Sequence, residues 1–501
     1  MKWSDGEDLT ADDVVYTFQR VLDGEIENGQ YGGYLTYVTD VEATDDYTVV
    51  VTTSEPSPSM LRLAVPILPE HVWQEIDGDE VATFANNDSP VGSGPFRLVE
   101  ARANQFYRFA ANKEHWAGAP KIDELVLRIF ADDEAMAQAL RAGEIDMLQD
   151  VSAPIFESLA DEPGITVSDS LYSGFNELAF NLGAQTVDNV PIGDGHPALQ
   201  DRQVRLAIDY AIDRDTLVDR VLRNHGSPAS GVIPPIYDDL HWTPGDGIRG
   251  SDLDRANQIL DEAGYARGSD GVRAGPDGRR LELRLFGREE SETSQRNVEY
   301  IRDWLGELGM VATVQIMSED ALTTAIGQGE FDLFEWGWVG EPDPDFQLSV
   351  FTCDQRSVED GGEIFAGWSD SFYCNPAFDE LYNEQKTILD PADRAAVIEE
   401  AQQLLYDDVV YSMLFYYNNF QAYRSDRFTG FVAQPSGNGT LVFQYGTHSY
   451  RNITPIGGGA EPAGDNRWML VVGGVAALAV VVAITTAVAV RRRRATADER
   501  E

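Results

Sequence analysis

The sequence contains very little lysine and very little cysteine. Four of its 37 basic residues are lysines, and they stand against 85 acidic residues, so the formal net charge is −48. A protein that binds nucleic acid needs a basic surface for the phosphates, and this charge argues against that partner. The two cysteines, Cys353 and Cys374, are too few for a disulfide-scaffold domain. One bridge and two free thiols are both compatible with the sequence.

The motifs that carry catalysis or bind metals and phosphates are also missing. The six histidines form no HxxH, HExxH or HxH pair, so we predict no metal site. There is no Walker loop and no G-x-G-x-x-G between a strand and a helix. The segment VGSGPF resembles a nucleophile elbow only loosely, because Val91 replaces the first glycine of that motif. We therefore expect neither a cofactor nor enzymatic activity.

The acidic residues that dominate the composition are spread along the whole chain. Together with the preference for arginine over lysine, this distribution indicates the solvated surface of a halophilic protein, in which concentrated salt screens the repulsion between like charges. An acidic surface that binds a cationic partner is the alternative interpretation. The 501 residues, 43% of them hydrophobic, are enough for two or three ordered domains.

An uncharged apolar run lies near the C-terminus. Residues 469–490 are long enough, at about 1.5 Å per residue, to cross a bilayer as a helix. Four arginines follow at 491–494, and positive charge stays in the cytoplasm. We predict a transmembrane helix over 468–490, a cytoplasmic tail over 491–501, and a flexible Gly- and Pro-rich tether over 453–467. The chain is then a single-pass protein of the cell membrane with its large domain outside.

Strands and helices alternate in the second half of the chain. The segments RLELRLF (280–286), MVATVQIM (310–317) and FDLFEW (331–336) are predicted strands, and helical patterns of 9 to 15 residues separate them. This alternation is typical of an open α/β sheet with parallel strands.

Several segments carry a family signature in a fixed order. They are DGEDLTADDVVYTFQRVLD, VGSGPFRLVE, ALRAGEIDML, DRQVRLAIDYAIDRDTLV, ANQILDEAGYA, DLFEWGWVGEPDPDF and YCNPAFDELYNEQ. Together they resemble the family 5 solute-binding proteins of ABC transporters, the oligopeptide, dipeptide and nickel binders. The resemblance covers roughly residues 4–450. It implies a bilobal type II periplasmic-binding-protein fold that closes by a hinge around a solute. It also implies no catalysis, and partnership with permease subunits driven by cytoplasmic ATPases.

The resemblance also implies a division into lobes. Residues 90–180 are expected to form the main subdomain of lobe 1, to which 431–452 return, and residues 181–430 are expected to form lobe 2. Residues 1–89 are expected to be the remnant of an N-terminal subdomain, because the family normally carries a further segment before the motif that opens this chain. An N-terminal truncation would also account for the absence of an export signal at the start.

The segment around the end of FDLFEW is the candidate binding site, because ligands of α/β sheets lie beyond the carboxyl ends of strands. Its candidate ligand-binding residues are Trp336, Trp338, Glu341, Asp343 and Asp345. One of the two tryptophans is expected to belong to the core. The two aspartates are better explained as turn and helix-cap residues than as ligand contacts.

Peptide-binding relatives hold the α-ammonium of the peptide with an acidic residue in this loop, through a desolvated charge contact. The matching position here is Gly340, so the acid is displaced by one residue, to Glu341. Arg288, which follows the strand LRLF, is the candidate partner for a ligand carboxylate.

Two further expectations concern covalent features. Some peptide-binding relatives carry a disulfide just before the helix that begins NPAFDEL, and Cys374 directly precedes that segment, so the resemblance implies a bridge from Cys353 to Cys374. Asn452 lies in an N-x-[ST] pattern next to the tether and is the predicted glycosylation acceptor.

The favoured function is a membrane-anchored receptor that delivers peptides to an ABC importer. A receptor of the same fold for nickel chelates or oligosaccharides is the first alternative. A ligand-sensing or enzymatic external domain without a transport role is the second.

Overall fold

The computed structural model describes most of the chain. The described residues are 1–86, 89–442, 446 and 448–457. The chain divides into two compact units, Met1–Thr454 and Pro455–Glu501. Within the described part, none of the helices combines the length and the apolar character that a membrane crossing requires. The predicted transmembrane helix over 468–490 and the tail over 491–501 lie outside the described residues.

Helices occur along the whole of the first unit. In chain order, the α-helices of the described residues are α1 Ala11–Asp23, α2 Glu25–Tyr31, α3 Glu70–Trp73, α4 Asp133–Ala142, α5 Ala153–Leu159, α6 Arg202–Ala211, α7 Arg214–Arg220, α8 Leu253–Glu262, α9 Glu292–Glu307, α10 Glu319–Gly327, α11 Asp345–Ser349, α12 Pro376–Gln385, α13 Pro391–Asp408 and α14 His448–Asn452.

The strands range from two residues to sixteen. In chain order they are β1 Val38–Asp45, β2 Thr48–Thr53, β3 Phe96–Arg102, β4 Phe106–Ala111, β5 Glu124–Arg128, β6 Met147–Gln149, β7 Ile165–Phe180, β8 Gly226–Pro228, β9 Ala266–Arg267, β10 Arg273–Ala274, β11 Glu282–Arg288, β12 Val311–Met317, β13 Leu333–Val339, β14 Val358–Asp360, β15 Glu363–Phe365, β16 Tyr411–Arg424, β17 Phe428–Thr429 and β18 Thr454–Pro455.

A seven-stranded mixed sheet forms the centre of the unit. Its strand order is β12-β11-β13-β7-β16-β6, and β8 pairs with β16. Strand β11 runs parallel to β12 and to β13, which confirms the predicted parallel arrangement. The long strands β7 and β16 then add to β13 in antiparallel orientation. The carboxyl ends of β11, β12 and β13 therefore lie at one edge of the sheet.

Apolar side chains cover both faces of this sheet, as the burial of its central strands requires. On one face the sheet packs against α6, α8 and α9, through Leu178, Leu285, Leu333, Val204, Ile259 and Ile301. On the other face it packs against α10, α12 and α13, through Phe286, Phe334, Met413, Leu322, Phe378 and Ile398.

Two smaller sheets lie in the first third of the chain. The hairpin of β1 and β2 packs with α1 around a separate apolar cluster that contains Phe18, Leu35 and Val41. Strands β3, β4 and β5 form a three-stranded antiparallel sheet. The division of these elements into lobes stays a prediction.

A buried charge network ties the end of α6 to the central sheet. Asp209 accepts hydrogen bonds from Arg214, from Arg249 Nη1 at 2.7 Å and from the Ser412 hydroxyl at 2.6 Å. Burial opposes ionisation of this carboxyl, but the two guanidinium groups outweigh it and hold the pKa of Asp209 below its ordinary value. The carboxylate is therefore charged and fully paired inside the protein.

Replacing Asp209 by Ala should lower the free energy of unfolding by about 3–5 kcal/mol, because two guanidinium groups would stay buried without their counter-charge. Urea denaturation in molar salt measures this loss. Asp303→Ala is the matched control, because that carboxylate is exposed and pairs with Arg302 at the surface, so little change is expected. Equal losses of unfolding free energy in the two variants would show that the buried pairing of Asp209 does not stabilise the protein.

The same network has a defined acid dependence. Since the folded pKa of Asp209 is depressed, its contribution to stability is complete above the unfolded value of about 3.9 and is lost as the pH falls through the lower folded value. The difference between wild type and Asp209→Ala should therefore stay constant above about pH 5 and shrink below about pH 4.

Candidate functional site

The candidate site lies where β13 leaves the central sheet. The strand ends at Val339, and residues 340–344, the β13–α11 loop, connect it to α11. The strand extends beyond its predicted end at Trp336, so Trp338 belongs to it as well rather than to the loop. Arg288 lies at the end of the parallel neighbour β11, and its Cζ atom is 4.7 Å from the centroid of the Trp336 ring. The strand ends thus bring the two predicted site residues together.

Trp336 and Trp338 lie on the same face of the sheet. Trp336 is paired with Glu177 and Trp338 with Phe175 on the neighbouring strand β7. Both indoles are half-buried and pack against the same apolar cluster. The expectation that only one of them belongs to the core was wrong, because residues two apart in a strand point the same way.

Asp343 is buried and its carboxylate is used by the protein itself. Arg394 of α13 donates to it from Nη1 and Nη2, each at 2.8 Å. The Ser59 hydroxyl donates at 3.2 Å and the Asp345 backbone N–H at 3.0 Å. Burial opposes the charge, but the guanidinium prevails and holds the pKa of Asp343 below its ordinary value. This pair fixes the β13–α11 loop and supports the turn interpretation.

Asp345 is the first residue of α11, where a carboxylate also meets the helix dipole favourably. Its side chain accepts a hydrogen bond from Gln385 Nε2 at 2.8 Å. Burial raises the pKa of Asp345. These contacts support a structural role for Asp345 as well.

Glu341 is half-buried and faces the first third of the chain. Its Oε1 atom accepts a hydrogen bond from the Tyr34 hydroxyl at 2.7 Å. Arg62 donates to the carbonyl of Pro342. Residues from the N-terminal part of the chain therefore cover the β13–α11 loop from one side.

An apolar pocket adjoins Glu341. Tyr237 closes one of its walls, and its hydroxyl donates to the Gly340 carbonyl at 2.9 Å. The lining residues are Val232, Ile233, Pro234, Tyr237, Leu240, Gly340, Glu341, Pro342, Pro344 and Gln347. Glu341 thus places a carboxylate beside a small apolar surface.

Arg288 is already engaged with protein carboxylates. Its guanidinium lies 3.3 Å from Glu319 Oε1 and 3.7 Å from Glu335 Oε2. Glu335 is fully buried and also accepts hydrogen bonds from Asn176 at 2.6 Å and Asn297 at 2.8 Å. A ligand carboxylate would have to compete with these groups for Arg288.

Glu177 of β7 belongs to the same cluster, and the sequence reasoning missed it. It is 0% exposed, and neither of its carboxyl oxygens has a hydrogen-bond partner among the described residues. Burial, together with the nearby charges of Asp370 and Glu335, raises the pKa of Glu177 well above its ordinary value. One signal was present in the sequence: Glu177 is the only charged residue in the run SGFNELAFNL, and a lone acid inside a buried strand is unusual.

Asp370, whose charge acts on Glu177, lies in a loop that a disulfide closes. Cys353 and Cys374 are bonded, which confirms the implied bridge, and the loop between them includes β14 and β15. Burial raises the pKa of Asp370 to about 6, and the Tyr411 hydroxyl and the Trp338 indole partly offset this effect. The disulfide-closed loop therefore places Asp370 near the tryptophans. Like Glu177, Asp370 is an acid whose pKa is raised.

The remaining predicted features lie elsewhere. Asn452 ends α14, and its side-chain amide donates to the His448 carbonyl at 2.7 Å. Within the described ranges, no group of three or more His, Cys, Asp or Glu residues is arranged to hold a metal ion.

Comparisons with known proteins agree with this architecture. Residues 1–358 match the family described as bacterial extracellular solute-binding proteins, family 5 Middle. Protein XP55 of Streptomyces lividans is 32% identical over 445 residues, which are 87% of this chain and 75% of that protein.

Two solved structures show the same α/β fold. The oligopeptide-binding protein AppA of Bacillus subtilis, in complex with a nonapeptide, aligns with a TM-score of 0.72 at 22% identity, over 91% of this chain and 85% of AppA. NikZ of Campylobacter jejuni, in complex with Ni(L-His), aligns with a TM-score of 0.73 at 20% identity, over 90% of this chain and 86% of NikZ. The fold is that of the type II periplasmic-binding proteins.

A double-mutant cycle tests whether the buried pair fixes the β13–α11 loop. Asp343→Asn and Arg394→Gln should each destabilise the protein, and the cycle should give a coupling energy of about 3 kcal/mol in urea denaturation. The exposed pair of Lys113 and Asp123 is the control, and its coupling should be far smaller. Coupling of equal size at both pairs would show that Asp343 and Arg394 do not hold the loop.

Proposed function

This chain belongs to the family 5 extracellular solute-binding proteins, and we propose that it binds peptides beside the β13–α11 loop and delivers them to the permease of an ABC importer. The observation that carries this proposal is the covering of the loop by the N-terminal part of the chain, through Tyr34, Ser59 and Arg62. Contacts of this kind are suited to opening and closing over a solute.

The chemistry of the loop suits a peptide. Glu341 can accept more hydrogen bonds than the one from Tyr34, because a carboxylate has about four acceptor positions. A peptide ammonium could therefore bind to it without displacing Tyr34. Trp336 and Trp338 are half-buried aromatic surfaces that suit apolar side chains. AppA, whose structure contains a nonapeptide, supports the same class of ligand.

We further propose that the protein acts outside the cell, anchored to the membrane. A single transmembrane helix over 468–490 would hold the solute-binding domain outside the cell, next to its permease. Tethering raises the effective concentration of the receptor at the permease without any additional contact. The acidic surface would keep such an external domain soluble in concentrated salt.

A ligand screen by thermal unfolding tests the proposal directly. The full chain, in molar salt and mild detergent, is heated with peptide pools, with nickel and histidine, or with an oligosaccharide. Peptides at about 100 times their Kd should stabilise the folded state by about 2.7 kcal/mol. Stabilisation by nickel–histidine or by the oligosaccharide, with none from any peptide pool, would reject the peptide assignment.

A variant of the loop acid tests its role. Glu341→Gln should weaken peptide binding about tenfold or more, because a charge-assisted hydrogen bond to the ammonium is lost. Glu359→Gln, on the exposed strand β14, is the matched control and should bind like wild type. Calorimetric titration measures both. Unchanged affinity in Glu341→Gln would remove this residue from the site.

A further inference from the structure

Glu177 emerges from the sheet on the side that carries the two tryptophans. In the antiparallel pairing of β7 with β13 it stands directly opposite Trp336, and directly paired residues project from the same face. Trp336 is half-buried, as are Arg288 at the end of β11 and Tyr417 of β16. Glu177 therefore lies on the sheet face that carries Trp336 and Trp338, next to half-buried side chains.

The acid is buried without compensation. Both carboxyl oxygens lack a hydrogen-bond partner among the described residues, although buried polar groups in proteins are nearly always paired. The charged groups that act on it from the surrounding elements are Asp370 of the disulfide loop, Glu335 of β13 and Arg288 of β11. Two of these groups, Asp370 and Glu335, are acids, and their charges oppose ionisation of Glu177.

The nearby cation, Arg288, pairs with other acids through its two Nη atoms, while its Nε atom has no partner among the described residues. Arg288 makes ion pairs with Glu319 and Glu335, and its guanidinium lies over the Trp336 ring. One positive charge thus faces four acids in this cluster: Glu177, Glu319, Glu335 and Asp370. The cluster has more carboxyl groups than its one cation can pair with, and a second cation would favour the ionised form of Glu177.

We propose that Glu177, assisted by Asp370, is a subsite for a cationic side chain of the bound peptide, that is, for a lysine ammonium or an arginine guanidinium. This inference rests on the proposed peptide-binding function and names the ligand group that the site selects. The ammonium or guanidinium supplies the hydrogen-bond donors that both oxygens of Glu177 lack. The ring of Trp336 would flank it, as it flanks Arg288.

Binding of such a side chain is linked to protons. With no ligand, burial keeps the Glu177 carboxyl protonated above its ordinary pKa. A bound cation favours the carboxylate, so the proton is released to solvent as the ion pair forms.

Affinity for a cationic peptide should then rise with pH across the range in which the free carboxyl titrates. Asp370 of the disulfide loop titrates in the same cluster and would contribute to the release. The other titratable groups that face the cluster, Tyr411 and Tyr417 of β16, have raised pKa values and stay neutral there.

The experiment compares two peptides that differ at one position, lysine in one and norleucine in the other. Calorimetric titration of the full chain should give about tenfold to a hundredfold tighter binding of the lysine peptide. In Glu177→Gln this preference should fall to near unity, while the norleucine peptide binds as before. Glu359→Gln, on exposed β14, should keep the wild-type preference. Thermal unfolding of each variant checks that it is folded.

A second measurement needs no variant. Titrations of the wild type in two buffers of different ionisation enthalpy should show proton release with the lysine peptide and none with the norleucine peptide. Equal affinities for the two peptides in the wild type, or an unchanged preference in Glu177→Gln, would overturn the inference and leave the proposed function intact. Failure of every peptide to bind would reject the proposed function and the inference together.

Discussion

The position of the β13–α11 loop depends on one buried ion pair, between Asp343 and Arg394. The pair is bidentate at 2.8 Å on both nitrogens, and it joins the loop to α13. Ser59 adds a hydrogen bond from the first third of the chain. Because Asp343 is held by the buried Arg394 and by Ser59, the loop that carries Glu341 is fixed between two parts of the fold.

The acids around this loop have different roles because their partners differ. Asp343 is paired with a guanidinium, and its carboxylate is a structural anion. Glu341 accepts a hydrogen bond from one phenol and has acceptor capacity left for a ligand. Glu177 has no partner among the described residues, so its charged state is unfavourable until a cation arrives. In a chain with 85 acidic residues, burial and pairing distinguish these carboxylates, while their abundance says nothing about function.

Much of the fold follows from local patterns. The alternation of helices and strands predicted the parallel arrangement of β11, β12 and β13, and the ordered motifs predicted the family and the disulfide. Strand β7 was not predicted, because it enters the sheet as an antiparallel partner of β13, more than 150 residues further along the chain. Periodicity within β7 carries no information about that partner.

The site was harder to predict for the same reason. Arg394 lies 51 residues from Asp343 and Tyr34 lies 307 residues from Glu341, so neither contact can be inferred from sequence spacing. The two tryptophans could have been assigned to one face from their spacing alone. Glu177 was visible as a lone acid in an apolar run, but its missing partners become apparent only when the folded neighbours are known.

A crystal structure of the chain with a bound lysine-containing peptide tests the central claim most directly. The lysine Nζ atom is predicted to lie about 3 Å from the Glu177 carboxylate, with the contacts of Asp343 to Arg394 unchanged. A structure in which the lysine lies away from Glu177, or in which Asp343 leaves Arg394 to contact the peptide, would contradict it.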